Sequence, residues 1–296
     1  MKVVIAGGSG FIGHTLIEEF KGADIVVLSR SGKPMEGVTA AKWDGKTVGE
    51  WAQHLEGADA VLNVVGENVF THWTDEKKKL FISSRVDPTK AIGEAITQCK
   101  NPPQSWVNAS AVGYYGSVYE PTTESGPLGS DFLAEVCKEW EAAQEEHSGA
   151  TKKARVRIGF VLGKDGGAFP ILKKLTTAFL GSAQGDGNQW MGWVHVKDVA
   201  GIFRMCVERR LEGPINATAP TPVTNSDFMK ELRHEMHRPW APNVPKFALS
   251  LGSSIALPPP EVTLASQRVL PARALELGYN FRFPTLKVAL EDLLSP

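Results

Sequence analysis

The sequence predicts an α/β protein in which a doubly wound parallel sheet is joined to a smaller C-terminal lid domain. Three observations point there. The chain opens on an apolar run that breaks into a glycine cluster and then into helical spacing, and apolar runs alternate with amphipathic segments as far as residue 162. After Gly163 that alternation gives way to glycine-, glutamine- and proline-rich stretches. The expected division is therefore 1–162 for the sheet domain, which also draws a strand from about 213–218, and 163–296 for the lid and tail.

The first unit is the most informative. Val3, Val4, Ile5 and Ala6 suit a buried strand, and Phe11, Ile12, Leu16, Ile17 and Phe20 follow at helical spacing. Between them lies Gly7-Gly8-Ser9-Gly10-Phe11-Ile12-Gly13. Glycines at 7, 10 and 13 permit a tight turn, let backbone approach a pyrophosphate and let the helix pack against the strand, while the helix N-terminus offers amide donors. A second strand, Asp24 to Arg30, completes a crossover unit of about thirty residues. This is the grammar of a Rossmann dinucleotide site. Where an NAD enzyme places an acid for the ribose hydroxyls, this chain has Ser29 and Arg30, which suit a 2′-phosphate, so the expected cofactor is NADP(H).

Further elements follow in order. A short third strand is expected near Val38 to Trp43 and a helix near Val48 to Leu55. The fourth strand, Ala58 to Gly66, places Asn63, Val64 and Gly66 at a carboxyl edge where cofactor is bound. Trp73-Thr74-Asp75 looks like the cap of a long helix from Glu76 to about Cys99 that contains Arg85 and Thr89. Ser105 to Ser110 reads as a strand leading into Ala111-Val112-Gly113-Tyr114-Tyr115-Gly116, and Pro121 to Gly129 as a loop before a helix from Asp131 to Glu146. Ala154 to Leu162 reads as one sixth strand, with Arg155 and Arg157 alternating with apolar residues. Gly181 to Gly192 is expected as loop, Ser226 or Asp227 as the cap of a helix Phe228 to Met236, and Pro239 to Pro245 and Pro258 to Pro260 as breaks between short helices.

Composition excludes several classes. Thirty-two basic residues stand against 33 acidic ones, net −1, with no long run of either sign, so neither nucleic acid nor an anionic membrane is an expected partner. Cys99, Cys137 and Cys206 have neither disulfide nor zinc spacing, and His234 and His237 are not four apart as in a zinc-protease helix, so no metal is expected. No apolar run is long enough to span a bilayer, and a strand begins directly after Met1; a cytoplasmic protein is expected. The sequence leaves a homodimer open.

The glycine turn, the Asn63-to-Gly66 strand end, the Ser110-to-Gly116 stretch and Trp193-Val194-His195-Val196-Lys197-Asp198-Val199-Ala200 together resemble the extended short-chain dehydrogenases/reductases in order and spacing. More narrowly, Gly66-Glu67-Asn68, Ser84-Arg85, Lys138-Glu139-Trp140-Glu141 and Ser266-Gln267-Arg268-Val269-Leu270-Pro271-Ala272-Arg273 resemble the uncharacterised NAD-dependent epimerase/dehydratase family proteins sometimes labelled cell division inhibitors, which carry their own C-terminal domain of unknown function. The resemblance implies a small-molecule substrate and a Tyr-x-x-x-Lys pair, in which the lysine holds the cofactor ribose and lowers the tyrosine pKa. Lys138 matches that lysine, but four residues earlier stands Ala134. Arg85 likewise replaces an asparagine four residues before Thr89; a guanidinium cannot act as an acid, but binds anions.

The expected catalytic set is therefore Ser110 to orient substrate, Lys138 on the ribose, and Tyr114 or Tyr115 as substitute proton donors. The cofactor set is Gly7, Ser9, Gly10, Phe11, Ile12, Gly13, Ser29, Arg30, Asn63, Val64, Gly66, Arg85 and Lys138. An NADP(H)-dependent oxidoreductase acting on a small carbonyl or hydroxyl compound leads, with Arg85 expected to face an anionic group near the nicotinamide, either the cofactor's own or that of an anionic substrate. A catalytically silent NADP(H)-binding regulator and a nucleotide-sugar epimerase are the rivals, the last weakened by the missing tyrosine.

Overall fold

A computed structural model describes residues 1–245 and 260–295. Its centre is a seven-stranded, all-parallel sheet in the order β12-β7-β5-β4-β1-β2-β3. The strands are β1 (Lys2–Ala6), β2 (Asp24–Ser29), β3 (Thr39–Lys42), β4 (Ala60–Asn63), β5 (Ser105–Ala111), β7 (Lys152–Ile158) and β12 (Gly213–Ala217). Side chains alternate across a strand, so both faces of these near-continuous apolar runs are covered. Val3 and Ile5 face one core with Leu16 of α1 (Phe11–Glu19), with Phe20 at its C-terminal cap, and with Val199, Ile202 and Phe203 of α5 (Val196–Glu208). Val4 and Ala6 face the other, with Trp51, Leu55 and Ala91, Ile92 and Ile96 of α2 (Asp75–Gln98). The chain leaves β1 first toward β2 and then returns on its other side to β4, so a crevice opens above the ends of β1 and β4.

Several expected boundaries move. The segment near Val48 is a 3₁₀ helix, Glu50–Leu55. The single sixth strand is two: β7 ends at Ile158 and β8 (Phe160–Gly163) leaves the large sheet to pair with β11 (Trp193–His195) and β9 (Gly166–Gly167). The break falls at Gly159, where a Cβ would lie 2.0 Å from the Gly192 carbonyl oxygen. Part of the proline-rich loop is β6 (Val118–Thr122), which pairs with β14 (Gln267–Val269). Trp190–Met191, expected in loop, forms β10 and pairs with β13 (Val223–Thr224). Thr224, rather than Ser226 or Asp227, caps α6 (Asn225–Glu235) by accepting the Asp227 amide. Pro258 and Pro259 lie outside the described residues.

The lid has its own apolar cluster, joining Phe169 of α4 (Phe169–Thr177), Trp193, Phe228, Leu232 and the C-terminal helix Leu286–Leu294. Asp198, fully buried on α5, holds this helix's approach by accepting hydrogen bonds from the Arg282 and Phe283 amides and the Tyr279 hydroxyl. Next to it the buried His195 ring stacks on Phe283 with centroids 3.8 Å apart; Nδ1 accepts the Lys197 amide and Nε2 lies 3.3 Å from Asp292. Burial drives the His195 pKa from 6.5 down to about 4, against the Asp292 carboxylate, which favours the charged ring.

The unfolded chain therefore takes up a proton near pH 6.5 that the folded chain refuses until about pH 4. The stability due to the neutral ring is present above about pH 6.5 and is lost as pH falls through that window, by on the order of 2–3 kcal/mol. Urea unfolding at pH about 7 and about 5 should show this loss in the wild type, and His195→Gln should abolish most of the difference.

Candidate functional site

The glycine turn is built for close approach. Gly7 sits at φ +85°, a conformation that only glycine adopts readily, and donates to the Leu28 carbonyl, while Gly10 donates back to Gly7. A Cβ on Gly13 would meet the Gly7 oxygen at 2.3 Å and the Gly8 Cα at 2.6 Å, so only glycine allows α1 to start against the turn. Gly10 caps the helix with no side-chain bond and no acid occupies the first turn, which leaves the amides of Phe11, Ile12 and Gly13 to an anion. Ser9 is exposed at the turn's outer edge.

Ser29 and Arg30 lie where the second strand ends. Ser29 is buried; its Oγ accepts the Gly32 amide at 3.1 Å, leaving the hydroxyl hydrogen to donate. Arg30 is exposed beside it. On the far side of the crevice, a Cβ on Gly7 would lie 3.2 Å from Val64, so the turn and the end of β4 form one continuous rim.

Asn63 does not offer its side chain to a ligand. It is fully buried, donates to Thr89 Oγ1 (3.0 Å) and Asn108 Oδ1 (2.7 Å), and accepts the Val65 amide. Its role is to fix the rim backbone at Val64, Val65 and Gly66. The two asparagines share an edge because β4 and β5 pair them in register.

Arg85 stands behind Gly66. Its Nη1 donates to the Phe81 carbonyl and its Nη2 to the Glu67 carbonyl, both at 2.9 Å, and its Cζ lies 5.1 Å from the centre of the Trp140 ring. Pro88 sits inside α2 one turn on, where it removes an amide donor, and Thr89 Oγ1 donates to the Arg85 carbonyl at 2.7 Å. Burial holds the Arg85 pKa below its ordinary value, while it remains a cation.

The four expected catalytic residues are not brought together as a relay. Ser110 is buried and donates to Glu141 Oε1 at 2.7 Å on α3 (Phe132–Glu145). Glu141 is seven residues past Ala134, roughly 10 Å along a helix. Lys138 is exposed, whereas its neighbours Cys137, Trp140 and Glu141 point inward; it is one step off the buried face. Tyr115 is 3 % exposed, and its hydroxyl donates to Asn216 Oδ1 (2.7 Å) and accepts from Arg157 Nη1 (2.9 Å). Burial pushes its phenol pKa up, against the nearby Arg157 charge. Tyr114 lays its ring on the Arg157 guanidinium, Cζ to centroid 3.4 Å, as an aromatic wall.

These residues form a different assembly. Arg157 makes two 2.8 Å hydrogen bonds to the Glu141 carboxylate, through Nε and Nη2, so Ser110, Glu141, Arg157, Tyr115 and Asn216 form one buried chain across β5, α3, β7 and β12. Burial works against the Arg157 charge, and the Glu141 hydrogen bonds outweigh it, leaving the pKa raised. Just beyond the end of β5, a cavity of about 410 Å³ is lined by Trp73, Lys78, Gly113, Phe132 and Gln267, among others.

Residues 3–217 match the model of the NAD dependent epimerase/dehydratase family. This chain belongs to that family. Residues 244–293 match a second model, a domain of unknown function, DUF1731. Among relatives, the chloroplastic epimerase family protein SDR39U1 homolog of Arabidopsis thaliana is 36% identical over 100% of this chain and 87% of its own length. Epimerase family protein YfhF of Bacillus subtilis is 33% identical over 100% and 98%. Among solved structures, human epimerase family protein SDR39U1, crystallised with NADPH, superposes with a TM-score of 0.89 at 31% identity, covering 99% of each chain.

Within this epimerase/dehydratase family member, Glu141, Arg157 and Asn216 were not singled out by sequence reasoning as site residues. The available signals were two arginines placed inward on a strand and a glutamate inside the Lys138-to-Glu141 motif. His234 and Glu235, set aside for lack of zinc-protease spacing, do approach Glu231 on α6, with their ligand atoms within 4.8 Å of one another at the surface. Among the described residues no helix is long and apolar enough to cross a membrane.

Proposed function

We propose that the chain binds NADP(H) across the β1–β4 crevice and acts as an oxidoreductase on a small carbonyl or hydroxyl compound. The observation that carries this is the glycine cradle, where Gly13 could not carry a side chain and the first-turn amides are left to an anion. The NADPH in the human SDR39U1 structure supports the same reading. The amides of Phe11 to Gly13 would hold the pyrophosphate, Arg30 and Ser29 the 2′-phosphate, and the rim from Val64 to Gly66 the nicotinamide side.

When bound, the cofactor supplies or takes hydride. The chain contributes binding, orientation and a partly enclosed cavity, and it holds no proton at the usual tyrosine position, since Ala134 stands there. Water in the cavity is the proton source this geometry favours. A second reading, an NADP(H)-binding regulator without turnover, is favoured by the Ser110–Glu141 hydrogen bond, which turns the serine away from any substrate.

The two readings part on one experiment. Loaded with NADPH and given a panel of small aldehydes, ketones and 2-oxo acids, an oxidoreductase consumes the reduced nicotinamide steadily, whereas a regulator retains it across the whole panel. The cofactor assignment has its own check. Arg30→Asp is expected to weaken NADPH binding by roughly 10- to 100-fold and to leave NADH binding unchanged or tighter, because an acid repels the 2′-phosphate. An unaltered preference would show that the phosphate lies elsewhere.

A further inference from the structure

Arg85 is a cation that the fold seats beside the rim without giving it an acid. Two of its five donors are used, both on backbone carbonyls, Phe81 and Glu67, which hold the guanidinium in place without an ion pair. Among the described residues no carboxylate lies within ion-pair distance of it. The neighbouring Cys137 thiol is neutral, its pKa pushed up to about 12 by burial, and the Glu67 carboxylate favours the cation only from beyond that distance, while the Glu67 backbone carbonyl accepts from Nη2. Trp140 supports one face of the guanidinium.

Gly66 stands at the other side. A Cβ there would lie 3.1 Å from Arg85 Cζ, so a side chain at 66 would press on the guanidinium, and glycine leaves it open. Burying a charge without an ion-paired partner is costly, and such a cation beside a ligand crevice is a candidate anion site. Two turns earlier on the same face of α2, Lys78 repeats the pattern: it lines the cavity, and its Nζ lies 5.6 Å from the centre of the Phe132 ring. Phe132 and Trp140 are two turns apart on α3, so the helix pair presents a cation backed by an aromatic ring at two levels.

We infer that Arg85 is the receptor for a carboxylate or phosphate on the small molecule held beside the cofactor, so that the substrate is an anionic carbonyl or hydroxyl compound. This rests on the proposed NADP(H) site and names the substrate class for it. The planar fork provides two-point recognition, and Lys78, which lines the cavity, places a second positive charge roughly 10 Å away along α2. Asp131 and Glu261 also line that cavity, and Asp131 is already engaged, capping α3 through the Ala134 amide.

The test uses the full chain loaded with NADP⁺, titrated calorimetrically with pyruvate, succinate and inorganic phosphate, and with the corresponding amides of the two acids as neutral controls. At least one anion is expected to bind saturably to wild type and its neutral control not to. Arg85→Met should weaken that anion roughly 10- to 100-fold and by at least about tenfold more than it weakens NADPH. Arg85→Lys, which keeps the charge without the fork, should fall between the two.

If wild type binds NADPH but none of the anions, the substrate inference fails and the cofactor reading stands; if NADPH itself does not bind, the cofactor reading fails first. An equal loss of NADPH and anion binding in Arg85→Met would assign the guanidinium to the cofactor and overturn the inference. Should Arg85→Met not fold, Arg85→Lys decides, because wild-type affinity for the anion in that variant is incompatible with two-point recognition.

Discussion

Gly13→Ala is expected to weaken NADPH binding by at least about a hundredfold and to lower stability by about 1–3 kcal/mol or more. The new methyl would lie 2.3 Å from the Gly7 oxygen, 2.6 Å from the Gly8 Cα and 2.7 Å from the Gly8 carbonyl carbon. All three are backbone atoms, so no side chain can swing aside. Either α1 slides away from the sheet, opening the contact of Leu16 and Phe20 with Val3 and Ile5, or the turn distorts and the amides of Phe11 to Gly13 lose their common focus. Both routes spoil an anion site that depends on several donors converging. NADPH fluorescence titration and thermal unfolding measure the two effects, and a variant that binds within about threefold of wild type would remove the glycine turn from the cofactor site.

The second large effect is expected from Glu141→Ala. Arg157 is 3 % exposed, and its two hydrogen bonds to Glu141 balance a charge that burial opposes. The truncation leaves that guanidinium buried with Tyr115 and the Glu124 carbonyl as partners, and leaves Ser110 without its acceptor. Breaking a buried pair from one side costs about 3–5 kcal/mol. Arg155, 3.9 Å from the same carboxylate and paired also with Glu145, loses part of its compensation too.

Replacing both partners, as in Glu141→Leu with Arg157→Met, should recover most of the loss, since a well-packed apolar pair is often nearly neutral. Urea unfolding of wild type, the single variant and the double variant tests this. A single variant less than about 1 kcal/mol destabilised would show that the network is not a stabilising element. The same variants bear on function: if Ser110, released from Glu141, turned toward substrate, Glu141→Ala would raise the rate of nicotinamide consumption per folded molecule.

Features encoded in short windows were legible in the sequence. The strand–turn–helix opening follows from apolar period and glycine placement within a dozen residues, and the alternation of strands and helices to residue 162 follows from the same local rules. The position of Arg30 just past β2 and the tight place of Gly13 under the turn were legible because both depend on neighbours a few positions away.

Ser110, Asn63 and Tyr115 were found as polar residues at strand ends, but their partners lie 31, 45 and 101 residues distant. Whether a strand-end serine meets a substrate or a glutamate depends on which turn of α3 packs against β5. That choice is made by the burial of Ala134, Cys137, Trp140 and Glu141 as one face, and the exposure of Lys138 follows from it.

The sequence by itself determined the sheet domain, the glycine cradle and the cation at its second strand, because each depends on local backbone geometry. Only the tertiary structure decided that Ser110 and Tyr115 are held by Glu141, Arg157 and Asn216, that β8 leaves the main sheet and that Arg85 stands at Gly66 without an ion pair. The physical reason is that hydrogen-bond partners and counter-charges are assigned by packing between elements, and a helix rotated by one residue assigns them differently.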